Sequence, residues 1–275
     1  TGAEITVSAA GSGAKLNIGM DTDNEFPGVD SDTLETFNAS AFGGELNVQF
    51  SDVSQDFTFT SGAGKTSVYL DGENLSLETG GTWTFNLDNA ADDSVTVLAA
   101  VNFNGGSLSI TGGDDIRITS DLDLSELDSL NVDGSKLVLA EDVVLTLTAA
   151  QADGLTVEGD GTVIVTELDA TPDADLEGIV VPTALVLTED VAATGSMPVA
   201  AVTIEGGFEL DVQGSTLGDA SSFVVPTDAT LVLGDTQAAE REVTGAGDVT
   251  VVTATPSSAD LTNISAATTI SIAAD

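Results

Sequence analysis

Residues 145–165 read Leu145-Thr146-Leu147-Thr148-Ala149-Ala150-Gln151-Ala152-Asp153-Gly154-Leu155-Thr156-Val157-Glu158-Gly159-Asp160-Gly161-Thr162-Val163-Ile164-Val165. Three apolar-x-apolar triplets, 145–147, 155–157 and 163–165, stand between turns written with Gly and Asp. Alternation of this kind puts two aliphatic side chains on one face of an extended segment and leaves the middle residue on the other. A helix needs apolar positions at i, i+3 and i+4 over several turns, and that spacing is not sustained here. Further triplets precede these: Leu108-Ser109-Ile110, Ile116-Arg117-Ile118, Leu122-Asp123-Leu124, Leu130-Asn131-Val132 and Leu137-Val138-Leu139. Successive triplets start 6 to 10 residues apart. Very short strands at such intervals suit a solenoid whose rungs stack aliphatic side chains inward.

An internal repeat points the same way. A shift of 86 residues without gaps superposes Ile116, Ile118, Leu145, Leu147, Gln151, Ala152, Val157, Gly159, Gly161, Val163 and Val165 on Val202, Ile204, Leu231, Leu233, Gln237, Ala238, Val243, Gly245, Gly247, Val249 and Val251. The copies run over about 115–166 and 201–252, and a shorter echo joins Val180-Val181-Pro182-Thr183 to Val224-Val225-Pro226-Thr227. Recurrence of whole supersecondary units is how stacked architectures are written.

Residues 1–104 differ in their core residues. Eight of the ten Phe fall between Phe26 and Phe103, with Tyr69 and Trp83 among them. Segments such as 45–50, 56–60 and 83–87 alternate apolar and polar residues, and Gly-rich breaks separate them. The sequence thus predicts an all-β chain: a β-sandwich-like region over 1–104, then a parallel β-solenoid-like region over 105–275. Tandem β-sandwich domains are the competing architecture, because their strands also recur every 8 to 12 residues, about one per predicted triplet. Helix is expected to be scarce, with 121–130 and 149–152 as candidate short turns of it.

Charge decides which functions are open. The chain has 46 Asp and Glu against 5 Lys and Arg, no His and no Cys, for a formal net charge of −41. With no imidazole or thiolate, the common general bases, nucleophiles and transition-metal ligands are missing. Phosphate backbones and anionic lipid surfaces would be repelled, so neither nucleic-acid binding nor membrane insertion is expected. No apolar run approaches the length of about 20 residues that a spanning helix needs. Thr1-Gly2-Ala3-Glu4 lacks the pattern of a signal peptide, which suits a mature product or fragment whose export signal has gone. Paired carboxylates alone can hydrolyse glycosides, but among 46 acids any pair could be nominated, and the five cations are scattered along the sequence. Gly62-Ala63-Gly64-Lys65-Thr66 holds the tail of a phosphate-binding loop without its first glycine. The expectation is a protein that is not an enzyme.

Hard oxygen ligands remain, and they suit calcium. Asp21, Asp23 and Glu25, followed by Asp30 and Asp32, place carboxylates at alternate positions, a spacing that lets several oxygens converge on one cation in a loop. Asn104-Gly105-Gly106 and Gly112-Gly113-Asp114-Asp115 bracket a triplet and resemble a degenerate form of the calcium repeats of the repeats-in-toxin family, which implies calcium at Asp114 or Asp115. Tyr69 and Trp83, on neighbouring predicted strands, are candidates for stacking on a sugar ring.

The Thr-, Ala-, Val- and Gly-rich phrasing of 145–163, almost without Lys, resembles bacterial surface-layer proteins and giant calcium-dependent adhesins. That resemblance implies an extracellular or cell-surface location and assembly with copies of itself into an array, sheath or filament, with calcium bridging acidic surfaces. The alternative expectation is an adhesin or phage-fibre module that binds a glycan or receptor. Acidity in the service of a salt-loving organism is a separate expectation, and a hydrolase or lyase of acidic polysaccharides stands third.

Overall fold

A computed structural model describes residues 2–8, 11, 13–19, 28–72, 75–87, 93–99, 101–113, 115–133, 135–218, 222–253, 261–265 and 269–274. The chain is 4% helical, and its parallel strands stack as solenoid turns, about ten in all. They divide into two compact units, Thr1–Val143 and Val144–Asp275.

In the first unit most strands lie in two sheets, and a short third sheet pairs Ser76–Glu78 with Asn102–Asn104. Of the two, one holds, in spatial order, Ala3–Thr6, Leu34–Asn38, Asp56–Thr60, Thr82–Asn86, Ser107–Thr111 and Ser129–Asp133. The other holds Lys15–Ile18, Glu45–Asp52, Thr66–Asp71, Ser94–Ala99, Asp115–Ile118 and Lys136–Leu139. Successive strands of these two sheets alternate between the layers, and each pairs in parallel with the strand one full turn away. The sandwich expected for 1–104 is corrected here. Two layers do face each other, but every pairing among the described strands is parallel, and the winding is that of a solenoid. Alternating apolar and polar residues define a half-buried strand equally in both architectures, so periodicity could not separate them.

The parallel register stacks like on like. Phe37, Phe59, Phe85, Ile110 and Val132 form one inward row, and Val48, Val68, Val95, Ile116 and Leu137 form a facing one. Phe37 and Phe59 stack with ring centroids 5.5 Å apart, and Phe50 meets Phe57 edge-on at 5.0 Å. The first row passes from aromatic to aliphatic along the stack, which is how one fold accommodates the change of vocabulary near residue 104. Trp83 is fully buried, and its indole N–H donates to the Ser54 carbonyl at 3.0 Å.

In the second unit one sheet runs Val144–Thr148, Thr162–Thr166, Thr183–Val186, Ala201–Glu205, Ser222–Val225 and Val243–Gly245. Another runs Val191–Ala192, Glu209–Asp211, Thr230–Gly234, Asp248–Thr253 and Thr269–Ala274. Single parallel bridges link Asp175, Ser196 and Thr216 on a further side. Leu147, Val165, Leu185 and Ile204 make one buried ladder, and Leu210, Leu231 and Val249 another.

Ala149–Ala152 is a helical turn closed by a capping box: Thr148 Oγ1 accepts from the Gln151 N–H at 3.2 Å, and Gln151 Oε1 accepts from the Thr148 N–H at 2.9 Å. The other expected helical turn, 121–130, is not helical. Leu122–Asp123 and the start of Ser129–Asp133 are strands there, joined by a turn in which Asp123 Oδ1 accepts from the Ser125 N–H. Alternating Leu and Asp favour extended backbone over a helical stripe.

Candidate binding groove

The outer face of the second sheet of the first unit gathers the rarest residues of the chain. Lys15, Lys65, Arg117 and Lys136, four of the five cations, all belong to it or to its margin. Inward-facing Leu16, Leu46, Val68, Val95, Ile116 and Leu137 force the alternate residues outward. The parallel register then lines those up in two rows across the rungs. One runs Asn17, Asn47, Ser67, Ser94, Asp115, Lys136; the next runs Gln49, Tyr69, Thr96, Arg117.

Size makes a groove of these rows. The Ser94–Ala99 strand places the small Ser94 and Thr96 in the cleft, while its neighbours carry Tyr69 on one side and Arg117 on the other. The result is an open cleft of about 430 Å³, lined by Lys65, Ser67, Tyr69, Asp93, Ser94, Thr96, Asp115, Arg117 and Thr119. Ser67, Ser94 and Thr96 form its floor. Lys65 and Tyr69 stand on one wall, Asp115 and Arg117 on the other, two rungs or roughly 10 Å away.

The charges in the cleft are arranged unequally. Asp115 Oδ2 accepts from Arg117 Nη2 at 2.9 Å, and its other oxygen lies 3.7 Å from Lys136 Nζ. Asp93 is completely buried, and its Oδ1 accepts from the Thr66 N–H at 2.7 Å, which fixes the start of the Thr66–Asp71 strand. Lys65 is exposed and forms no ion pair among the described residues. Further along the sheet Lys15 donates to Glu45 at 2.6 Å; this hydrogen bond, with one from Asn47 and the charges of Lys15 and Lys65, holds the Glu45 carboxyl below its ordinary value. The fifth cation, Arg241, is buried in the second unit and donates to the Leu217 carbonyl at 3.3 Å.

Of the residues expected to hold calcium, Asp30, Asp32 and Asp115 are described. Asp21, Asp23, Glu25 and Asp114 lie outside the described residues. Asp30 pairs in register with Asp52, and the Ser31 N–H donates to the Asp52 carbonyl. Burial, and then the charges of Asp30 and Asp32, push the Asp52 carboxyl above its ordinary value. Asp115 faces two cations. Among the described residues no three His, Cys, Asp or Glu side chains come together closely enough to hold a metal ion. Of the two aromatics expected to stack on a sugar, Trp83 is core and Tyr69 is in the cleft, half-buried. The cations look scattered in sequence because adjacent rungs here are 20 to 30 residues apart. Only the turn lengths, which vary, could have brought them together on paper.

The fold is thus a parallel β-solenoid, and the site is a polar cleft on one of its sheet faces. No protein-family model, no curated protein and no solved structure matches the chain.

Proposed function

We propose that the chain is an exported, non-catalytic surface protein whose solenoid displays a carbohydrate-binding face. The cleft on the second sheet of the first unit carries this reading. It has the volume typical of a small-ligand site, which runs from about 300 to 1,000 Å³. Its floor offers hydroxyl groups, its walls offer an aromatic ring and two cations, and a rigid β-stack holds them in place. Ser67, Ser94 and Thr96 have no histidine to activate them, and Asp93 is engaged by backbone. Binding without turnover is the function these groups support.

A glycan array probed with the intact protein, followed by calorimetry on the hits, tests this. Binding of oligosaccharides without hydrolysis, weakened by Tyr69→Ala with the fold intact by circular dichroism, is the expected outcome. No binding to any glycan, or turnover of one, would overturn it.

A second reading, assembly with copies of itself, is favoured by the placement of four of the five cations on one sheet face of a chain of charge −41. An acidic surface of another copy could seat there, with calcium offsetting the remaining charge. Sedimentation at low salt, with calcium and then with chelator, tests it; a monomer under both conditions would reject it.

A further inference from the structure

We infer that the cleft takes an anionic sugar residue, one bearing a carboxylate or sulfate, with its ring against Tyr69 and its charge between Lys65 and Arg117; this rests on the carbohydrate-binding reading above. The charge inventory leads there. Asp115 is the one half-exposed carboxylate of the cleft, and it is shared by Arg117 and Lys136. Asp93 is committed to the Thr66 N–H. Lys65 stands exposed across the floor with no ion pair among the described residues. Among the described residues, the cleft and its rim therefore hold three cations, Lys65, Arg117 and Lys136, against two solvent-facing carboxylates, Asp115 and the Glu45 beside Lys65, in a chain where acids outnumber bases 46 to 5. A neutral sugar would leave that surplus unanswered. A planar carboxylate or a sulfate would meet the second edge of a guanidinium whose Nη2 is already held by Asp115, and would gain the point charge of Lys65. The small side chains of Ser94 and Thr96 leave the width for a ring between the walls, and they supply hydroxyl groups for its polar edge.

The test is calorimetry on the intact protein with four probes: a galacturonic-acid tetramer, its methyl ester, a neutral glucose tetramer and a sulfated tetrasaccharide. The free acid or the sulfated probe is expected to bind at least about tenfold more tightly than the ester, a difference of about 1.4 kcal/mol. Arg117→Gln and Lys65→Gln should each reduce that preference while leaving ester binding unchanged, and Lys15→Gln, away from the cleft, should leave both as they are. Acid ahead of sulfate, or the reverse, identifies the charged group. Equal binding of acid, sulfated probe and ester would sink the anionic assignment and leave the carbohydrate reading standing. A preference that survives both cleft substitutions would place the anion elsewhere and overturn the inference. Silence from all four probes would end the carbohydrate reading itself.

Discussion

At the scale of single residues, the acids of this chain differ in what their charge costs. Asp52 lies beside Asp30 and Asp32, and its carboxyl is pushed up first by burial and then by those two charges. Glu209 is pushed up in the same way, by burial and then by Asp190 and Asp211. A carboxyl whose folded value lies above its unfolded one binds a proton more tightly when folded. Its contribution is fully present below the ordinary carboxylate range and is lost as pH rises through the raised value. Thermal melts should therefore show stability rising as pH falls from neutral toward that range, and Asp52→Asn should raise the neutral-pH Tm while flattening the slope. A melt of Asp52→Asn identical to wild type at every pH would show that these charges are already relieved. Glycine carries a different constraint. Gly245 has φ +105, and an added Cβ would lie 2.1 Å from the Val225 carbonyl oxygen of the rung beside it. Gly245→Ala should cost on the order of 1–3 kcal/mol in chemical denaturation, more than loss of backbone freedom alone would suggest.

At the scale of elements, the 86-residue shift has a geometric content. Within the second unit, Val144–Thr148, the Ala149–Ala152 turn, Val157–Gly159 and Thr162–Thr166 are followed 86 residues later by Thr230–Gly234, the Asp235–Glu240 helix, Val243–Gly245 and Asp248–Thr253. The counterparts do not share a sheet: Val144–Thr148 and Thr162–Thr166 lie in the first, Thr230–Gly234 and Asp248–Thr253 in the second. The shift therefore spans no whole number of turns. It moves a strand from one of the two sheets to the other, which works because both present the same inward aliphatic triplets. The Asp235–Glu240 helix was legible through that shift, since Gln237 falls where Gln151 does and bonds the Gly234 N–H at 2.9 Å as Gln151 bonds Thr148. Gly234 has no side chain to complete the cap. Thr148→Ala should consequently lose about 1 kcal/mol in denaturant melts, and an unchanged midpoint would show that the box adds nothing to the strand before it. In the first unit, Phe59 touches Phe37, Phe50 and Phe85 with ring centroids 5.5–6.2 Å apart. Phe59→Ala should cost about 3–5 kcal/mol.

At the scale of the whole molecule, strands and inward rows followed from period-2 alternation, and a parallel solenoid followed from the spacing of triplets after residue 104. The winding of residues 1–104 did not, because Phe57-Thr58-Phe59 reads alike in a sandwich and in a coil. The cleft was half legible. Tyr69 could be singled out as a rare aromatic, whereas Lys65, Ser94 and Arg117 become neighbours only through turns of unequal length. The net charge of −41 acts on the entire fold. Sodium chloride should raise Tm as the Debye length falls to about 10 Å at 0.1 M. Calcium matched in ionic strength should raise it further if carboxylates bind the ion, and melts that depend on ionic strength alone would show screening without binding.

The most direct measurement is an NMR titration of the intact protein with the oligosaccharide that binds most tightly. Amide shifts confined to Thr66–Asp71, Ser94–Ala99 and Asp115–Ile118 are predicted, with the opposite sheet silent. Perturbations centred on any other strands, or none at saturating sugar, would contradict a solenoid that works by displaying this one cleft.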